Sequence, residues 1–285
     1  MIDFLKHPET ERIIDEALRE DIGPGDYSTL STVPEGHTAA ARCIVKAKGI
    51  LAGVAIAERI FQKVDPQLEY QGILQDGAVI DELMTEAFYV KGDPRSILQA
   101  ERLVLNIMQR MSGIATLTRK VVDQLEGTNC RVLDTRKTTP LIRHLEKWAV
   151  KIGGGTNHRF GLYDMVMIKD NHIDYAGGIA EAISSCKDYL KANNLDLKIE
   201  VEARDLNEVQ QILDAGPVHR IMLDNMSLED MRTAVDLIGE RAQTEASGGI
   251  TPDYVRPIAE TGVDFISMGA LTHSVMSLDI SLKAM

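Results

Sequence analysis

The stretch "LKIEVEARDLNEVQQILDAG", residues 197–216, sets the fold. Its first seven residues alternate apolar and charged side chains with the period of a strand. From Leu206 the apolar residues recur every three or four positions, as on one helix face, and Gly216 closes the run. The same form repeats from about residue 130 onward, with strands expected at 130–135, 164–170, 197–203, 220–225, 243–249 and 264–270. Strand then helix, repeated, predicts parallel strands joined by right-handed crossovers. Six such units fall short of the eight of a closed barrel, so the expected class is α/β with an open, incomplete α/β barrel.

Upstream, "AAARCIVKAKGILAG", "LEYQGILQDGAVI" and "MTEAFYVKGDP" predict antiparallel strands of a separate α/β sandwich domain, and "REDIGPGDYST" (19–29) is expected to be a loop. The run 100–125 reads as a long helix with Val104, Ile107, Met108, Met111 and Ala115 on one face and Arg102, Asn106, Gln109 and Gly113 on the other. The domain junction is placed there. The expected domains are 1–112 and 113–274, with a tail of about 275–285 returning to the first.

The chain has 285 residues, 44% of them hydrophobic and 26% charged, with a net charge of -12. Composition and the charged N-terminus predict a globular cytoplasmic protein with no membrane partner. Three scattered cysteines in no CxxC spacing argue against a disulfide framework or a zinc site. An acidic chain is a poor partner for nucleic acid.

Against that background, residues 131–172 carry eight Lys/Arg and four acids. The cations are interleaved with Gly, Thr, Asn and His, which suits a small anionic ligand. Arg136, Lys137, His158, Arg159 and Lys169 stand at strand ends or in glycine-flanked loops, where arginine forks suit carboxylates and lysines suit phosphate. Glu202 and Asp224 end two strands, and carboxylates in an anion-binding mouth suggest a metal ion, ribose hydroxyls or developing positive charge. Glu200 shares the strand face of Glu202. Ser247, Gly248 and Gly249, then Met268, Gly269 and Ala270, form small-residue loops at the last two strands. Phosphate sites recur at those positions in barrel enzymes.

Six ordered motifs, "DTRKTTP", "KIGGGTNHRFGLYDMVMIKDNHI", "IEVEARDLNEV", "IMLDN", "EASGGI" and "DFISMGALTHS", resemble the quinolinate phosphoribosyltransferase family. The resemblance implies an open barrel of about seven strands and a type II phosphoribosyl transfer. Quinolinate and phosphoribosyl pyrophosphate would give nicotinate mononucleotide, pyrophosphate and CO₂, on the de novo route to NAD. It implies that Arg102 from a neighbouring subunit, Thr135, Arg136, Lys137, His158, Arg159 and Lys169 bind quinolinate. Residues 247–249 and 268–270 would take the 5′-phosphate. Lys137, Lys169, Glu202 and Asp224 would be catalytic, with Mg²⁺ carried mainly by the pyrophosphate near Glu202 and Asp224. A homodimer, or a hexamer built from dimers, is implied. Many members of that family have a glycine where this chain has Leu141. Two other readings remain open from residues alone: a Schiff-base aldolase barrel using Lys169, and a sister group of the family associated with molybdenum transport, which the intact "IKDNH" segment disfavours.

Overall fold

The computed structural model describes residues 3–285. Among them the strands are β1 (Ala39–Val45), β2 (Gly49–Ile50), β3 (Glu69–Gly72), β4 (Val79–Ile80), β5 (Thr85–Gly92), β6 (Arg131–Leu133), β7 (Val166–Ile168), β8 (Ile199–Ala203), β9 (Arg220–Asp224), β10 (Gln243–Ser247), β11 (Phe265–Ser267) and β12 (Ile280–Ala284). The chain falls into two compact units. One comprises the residues up to Arg119 with Thr138–Gly154 and Leu271–Met285, and the other comprises Lys120–Lys137 with Gly155–Ala270. The 112/113 division expected from the sequence lies inside a single helix, Pro94–Gln124, and the units exchange segments on either side of it.

In the first unit an antiparallel sheet runs β12-β1-β5-β3. Its inner residues, Cys43, Val45, Phe88 and Val90, are fully buried, as are Ile56, Ile60 and Phe61 of the helix Val54–Val64. The "REDIGPGDYST" segment is mostly helical, contrary to expectation. Pro8–Ile22 is one helix with Pro8 in its first turn, and Tyr27–Thr32 is another, leaving only 23–26 between them. The reason is a cap: the Asp26 carboxylate accepts the Thr29 N–H at 3.0 Å, which outweighs the glycine and proline punctuation.

In the second unit a six-stranded parallel sheet runs β6-β11-β10-β9-β8-β7. All six expected strands are present, and the sheet is open because β6 and β7 are its two edges. Thr156 extends the β6 edge by a one-residue parallel bridge, donating to Val132 O at 2.9 Å. Strand β8 is buried along its whole length. Ile199, Val201 and Ala203 alternate with Glu200 and Glu202, so the two glutamates share one face. The helices Leu206–Asp214 and Leu228–Ile238 begin at Asp205 and Ser227, whose side chains accept the Glu208 and Asp230 N–H groups. Among the described residues no helix is long and apolar enough to cross a membrane.

Candidate active site at the strand ends

Parallel strands in register bring the polar residues together in layers. Glu200 lies opposite Arg220, Glu202 opposite Met222, Met222 opposite Glu245, and Asp224 opposite Ser247. The lower layer is an ionic cluster that the sequence reading did not assemble. Arg220 Nη1 stands 2.7 Å from Glu245 and 3.7 Å from Glu200, and its guanidinium lies 4.2 Å above the centre of the Phe265 ring. Both glutamates are completely buried. A buried carboxylate needs a partner, and these two share one arginine and one histidine.

That histidine is His158, expected to bind substrate. The structure gives it other partners: Nε2 faces Glu200 at 3.2 Å and Glu245 at 3.4 Å, and Nδ1 accepts the Arg159 N–H at 2.7 Å. Burial lowers its pKa, but hydrogen bonds to the two glutamates outweigh burial and raise it to about 9. The acceptor role of Nδ1 opposes that rise, because it requires the neutral ring with its proton on Nε2, facing the glutamates. Burial, then repulsion by Glu245, pushes Glu200 above the ordinary range. For Glu245, burial acts upward, but His158, Arg220 and Ser267 together hold it below that range. The ligand atoms of His158, Glu200 and Glu245 lie within 4.8 Å of one another, yet Arg220 already supplies the cation, so this cluster does not fit a metal ion.

The upper layer opens to solvent. Arg136 and Lys137 follow β6 in an exposed loop whose Thr135 hydroxyl accepts the Lys137 N–H. Arg159 is half-buried, and burial followed by repulsion from Arg136 lowers its pKa. Two guanidiniums close enough to repel suit a ligand with two carboxylates. The 157–159 turn is pinned from below: Asp134, fully buried, accepts the His158 N–H at 2.9 Å and the Asn157 amide at 2.5 Å. Lys169 Nζ meets Glu202 Oε2 at 2.6 Å.

At the other side, Gly248 and Gly249 have φ of +100° and +58°, a conformation open to glycine and costly for other residues. Ser247, Gly248, Gly269 and Ala270 are half-buried, and Met268 is buried beneath them. Arg102 belongs to the first unit, on the helix Pro94–Gln124, with its side chain exposed.

The quinolinate phosphoribosyl transferase C-terminal domain pattern matches residues 114–283, and the N-terminal domain pattern matches residues 26–112. The chain belongs to the quinolinate phosphoribosyltransferase family. A chloroplastic nicotinate-nucleotide pyrophosphorylase [carboxylating] of Arabidopsis thaliana is 47% identical over 97% of this chain and 84% of its own. A probable nicotinate-nucleotide pyrophosphorylase [carboxylating] of Bacillus subtilis is 41% identical, covering 98% of this chain and 94% of its own. Among solved structures, the nicotinate-nucleotide pyrophosphorylase of Francisella tularensis has a TM-score of 0.92 at 37% identity, covering 100% of both chains.

Leu141 has a φ of +69°, in the left-handed region, where a glycine is at ease and a leucine is not. The side chain is 76% exposed. The residues missed by sequence reading, Arg220 and Glu245, carried a usable signal. Each is a charge inside a buried parallel strand, two or four positions before a residue of the upper layer on the same face.

Proposed function

We propose that the protein transfers the phosphoribosyl group of phosphoribosyl pyrophosphate to the ring nitrogen of quinolinate and releases pyrophosphate and CO₂. What supports the reading most directly is the Arg136–Arg159 pair at the ends of the parallel sheet, in a chain matched by both family patterns.

Arg136 and Arg159 take the two quinolinate carboxylates, with Thr135, Lys137 and Lys169 beside them. His158 acts from below by holding the main chain of Arg159. Fixing the dianion points its ring nitrogen at the anomeric carbon, which converts a bimolecular encounter into an oriented attack. As pyrophosphate leaves, positive charge develops on the ribose, and the Glu202 and Asp224 carboxylates stabilise it. The 5′-phosphate rests on the backbone N–H groups of 247–249 and 268–270. The new N-glycosidic bond makes the ring cationic, so the 2-carboxylate departs as CO₂ and the ring carbon is left to take a proton from Lys137 or Lys169.

Glu202 and Asp224 offer hard oxygen donors near the pyrophosphate end and fit Mg²⁺ that arrives with the cosubstrate, whose own oxygens complete its shell. Bound Mg²⁺ would neutralise charge on the leaving pyrophosphate. The Lys169–Glu202 ion pair disfavours the aldolase reading, since a Schiff-base lysine acts as a neutral amine. Exposed Arg102 is proposed to complete the quinolinate site of a neighbouring subunit in a dimer-based assembly. Mixing Arg102→Ala with Lys169→Ala subunits would then restore activity that neither variant has.

The test is loss of quinolinate absorbance with phosphoribosyl pyrophosphate and Mg²⁺, beside a reaction offering nicotinate. Turnover of quinolinate alone supports the proposal. Turnover of nicotinate, or of neither by folded protein, overturns it.

A further inference from the structure

Asn225 is exposed and follows Asp224 directly, at the C-terminal end of β9. Its φ is +54°, in the left-handed region. Glycine and asparagine both meet that backbone requirement, and what the asparagine side chain adds is shown by its contacts. The amide Nδ2 donates to Asp224 Oδ2 at 2.7 Å. The backbone N–H donates to Ser247 O at 2.9 Å, beside the parallel pair Asp224–Ser247. The same amide group fills the space over Gly248, so that a Cβ on Gly248 would fall inside it. One side chain therefore touches both the carboxylate at the end of β9 and the glycine turn at the end of β10.

We infer that Asn225 is a positioning residue for the phosphoribosyl pyrophosphate half of the site, orienting the Asp224 carboxylate with its amide while its bulk shapes the Ser247–Gly249 turn. The inference rests on the function proposed above, in which Asp224 faces the ribose and the turn holds the 5′-phosphate. Without this donor the Asp224 carboxylate is free to rotate, and the glycine turn loses the surface against which it packs. The consequence is specific to one substrate, because quinolinate is held by other residues.

Two variants separate the amide from the backbone. Asn225→Gly keeps the left-handed conformation, gives Gly248 room and removes only the side chain. Loss of one charge-assisted hydrogen bond predicts a fall of about tenfold in kcat/KM for phosphoribosyl pyrophosphate, with KM for quinolinate changed by less than about twofold. Asn225→Asp keeps the size and the tolerance of positive φ but sets a second carboxylate against Asp224, so its loss at pH 8 exceeds that of Asn225→Gly. A purely structural role would lower the thermal midpoint and weaken the kinetics toward both substrates alike. Wild-type-like kinetics for Asn225→Gly, or equal losses toward both substrates, would overturn the inference. Inactivity of the unaltered protein would instead overturn the proposed function on which it stands.

Discussion

Arg220→Met is the substitution whose outcome the structure determines most sharply. Arg220 is the guanidinium partner of Glu245 at 2.7 Å and lies 3.7 Å from Glu200, and both carboxylates are fully buried. Removing one member of such a cluster leaves buried charge short of a partner, which costs about 3–5 kcal/mol. Methionine retains some of the contact with Phe265, so the electrostatic loss dominates. At about 2–4 °C per kcal/mol for a chain of this size class, the thermal midpoint falls by about 6–20 °C at pH 8. The pH dependence is the discriminating part. Glu200 already lies above its ordinary pKa through burial, with Arg220 acting to lower it, so without that cation it rises further above the unfolded value. A raised carboxyl binds its proton more tightly when folded, so the deficit is greatest at high pH and shrinks as pH falls through the raised pKa. Thermal midpoints of both proteins from pH 5 to pH 8 check this. A deficit equal at both ends, or a variant as stable as the parent at pH 8, would refute the reasoning.

The remaining predictions concern other parts of the molecule. Lys169→Ala breaks the 2.6 Å pair with Glu202 and removes a proposed proton source, lowering kcat by at least about a hundredfold while circular dichroism stays unchanged. Leu141→Gly removes a left-handed strain of about 1–2 kcal/mol, partly offset by the greater freedom of glycine when unfolded. Its thermal midpoint should therefore equal or exceed the parent's, and a clear fall would contradict that account. Burial pushes the Cys43 and Cys130 thiols up to about 12, whereas Cys186 is half-buried and shifted upward less decisively. A disulfide reagent at pH 8 should label one thiol rapidly in the native protein and three after denaturation.

The parallel sheet was legible because each strand is a short apolar run followed by a capped helix, a pattern that a single sequence displays. The strand ends were harder to place: 164–170 was expected where β7 spans Val166–Ile168, since the flanking Asp164 and Lys169 share the local polarity pattern of a strand end. The Thr156 bridge was invisible because one residue has no period, and the glycines before it suggest only a loop. The strand-end placement of the upper-layer cations and carboxylates could be read from the sequence pattern. The lower layer left a positional signal at Arg220 and Glu245, but its pairing did not show, since Glu200, Arg220 and Glu245 lie far apart in sequence and are brought together by strand register. His158 illustrates the same point. Its place in a motif marked it as important, but only the fold reveals that its ring faces glutamates and its Nδ1 holds the Arg159 main chain.

The central claim is that one site couples phosphoribosyl transfer to decarboxylation. Quinolinate labelled in its 2-carboxylate, incubated with phosphoribosyl pyrophosphate and Mg²⁺, tests it by the ratio of labelled CO₂ to pyrophosphate released. The account predicts equal amounts throughout the reaction and none of either when one substrate is withheld. CO₂ released without phosphoribosyl pyrophosphate, or pyrophosphate released without CO₂, would contradict it.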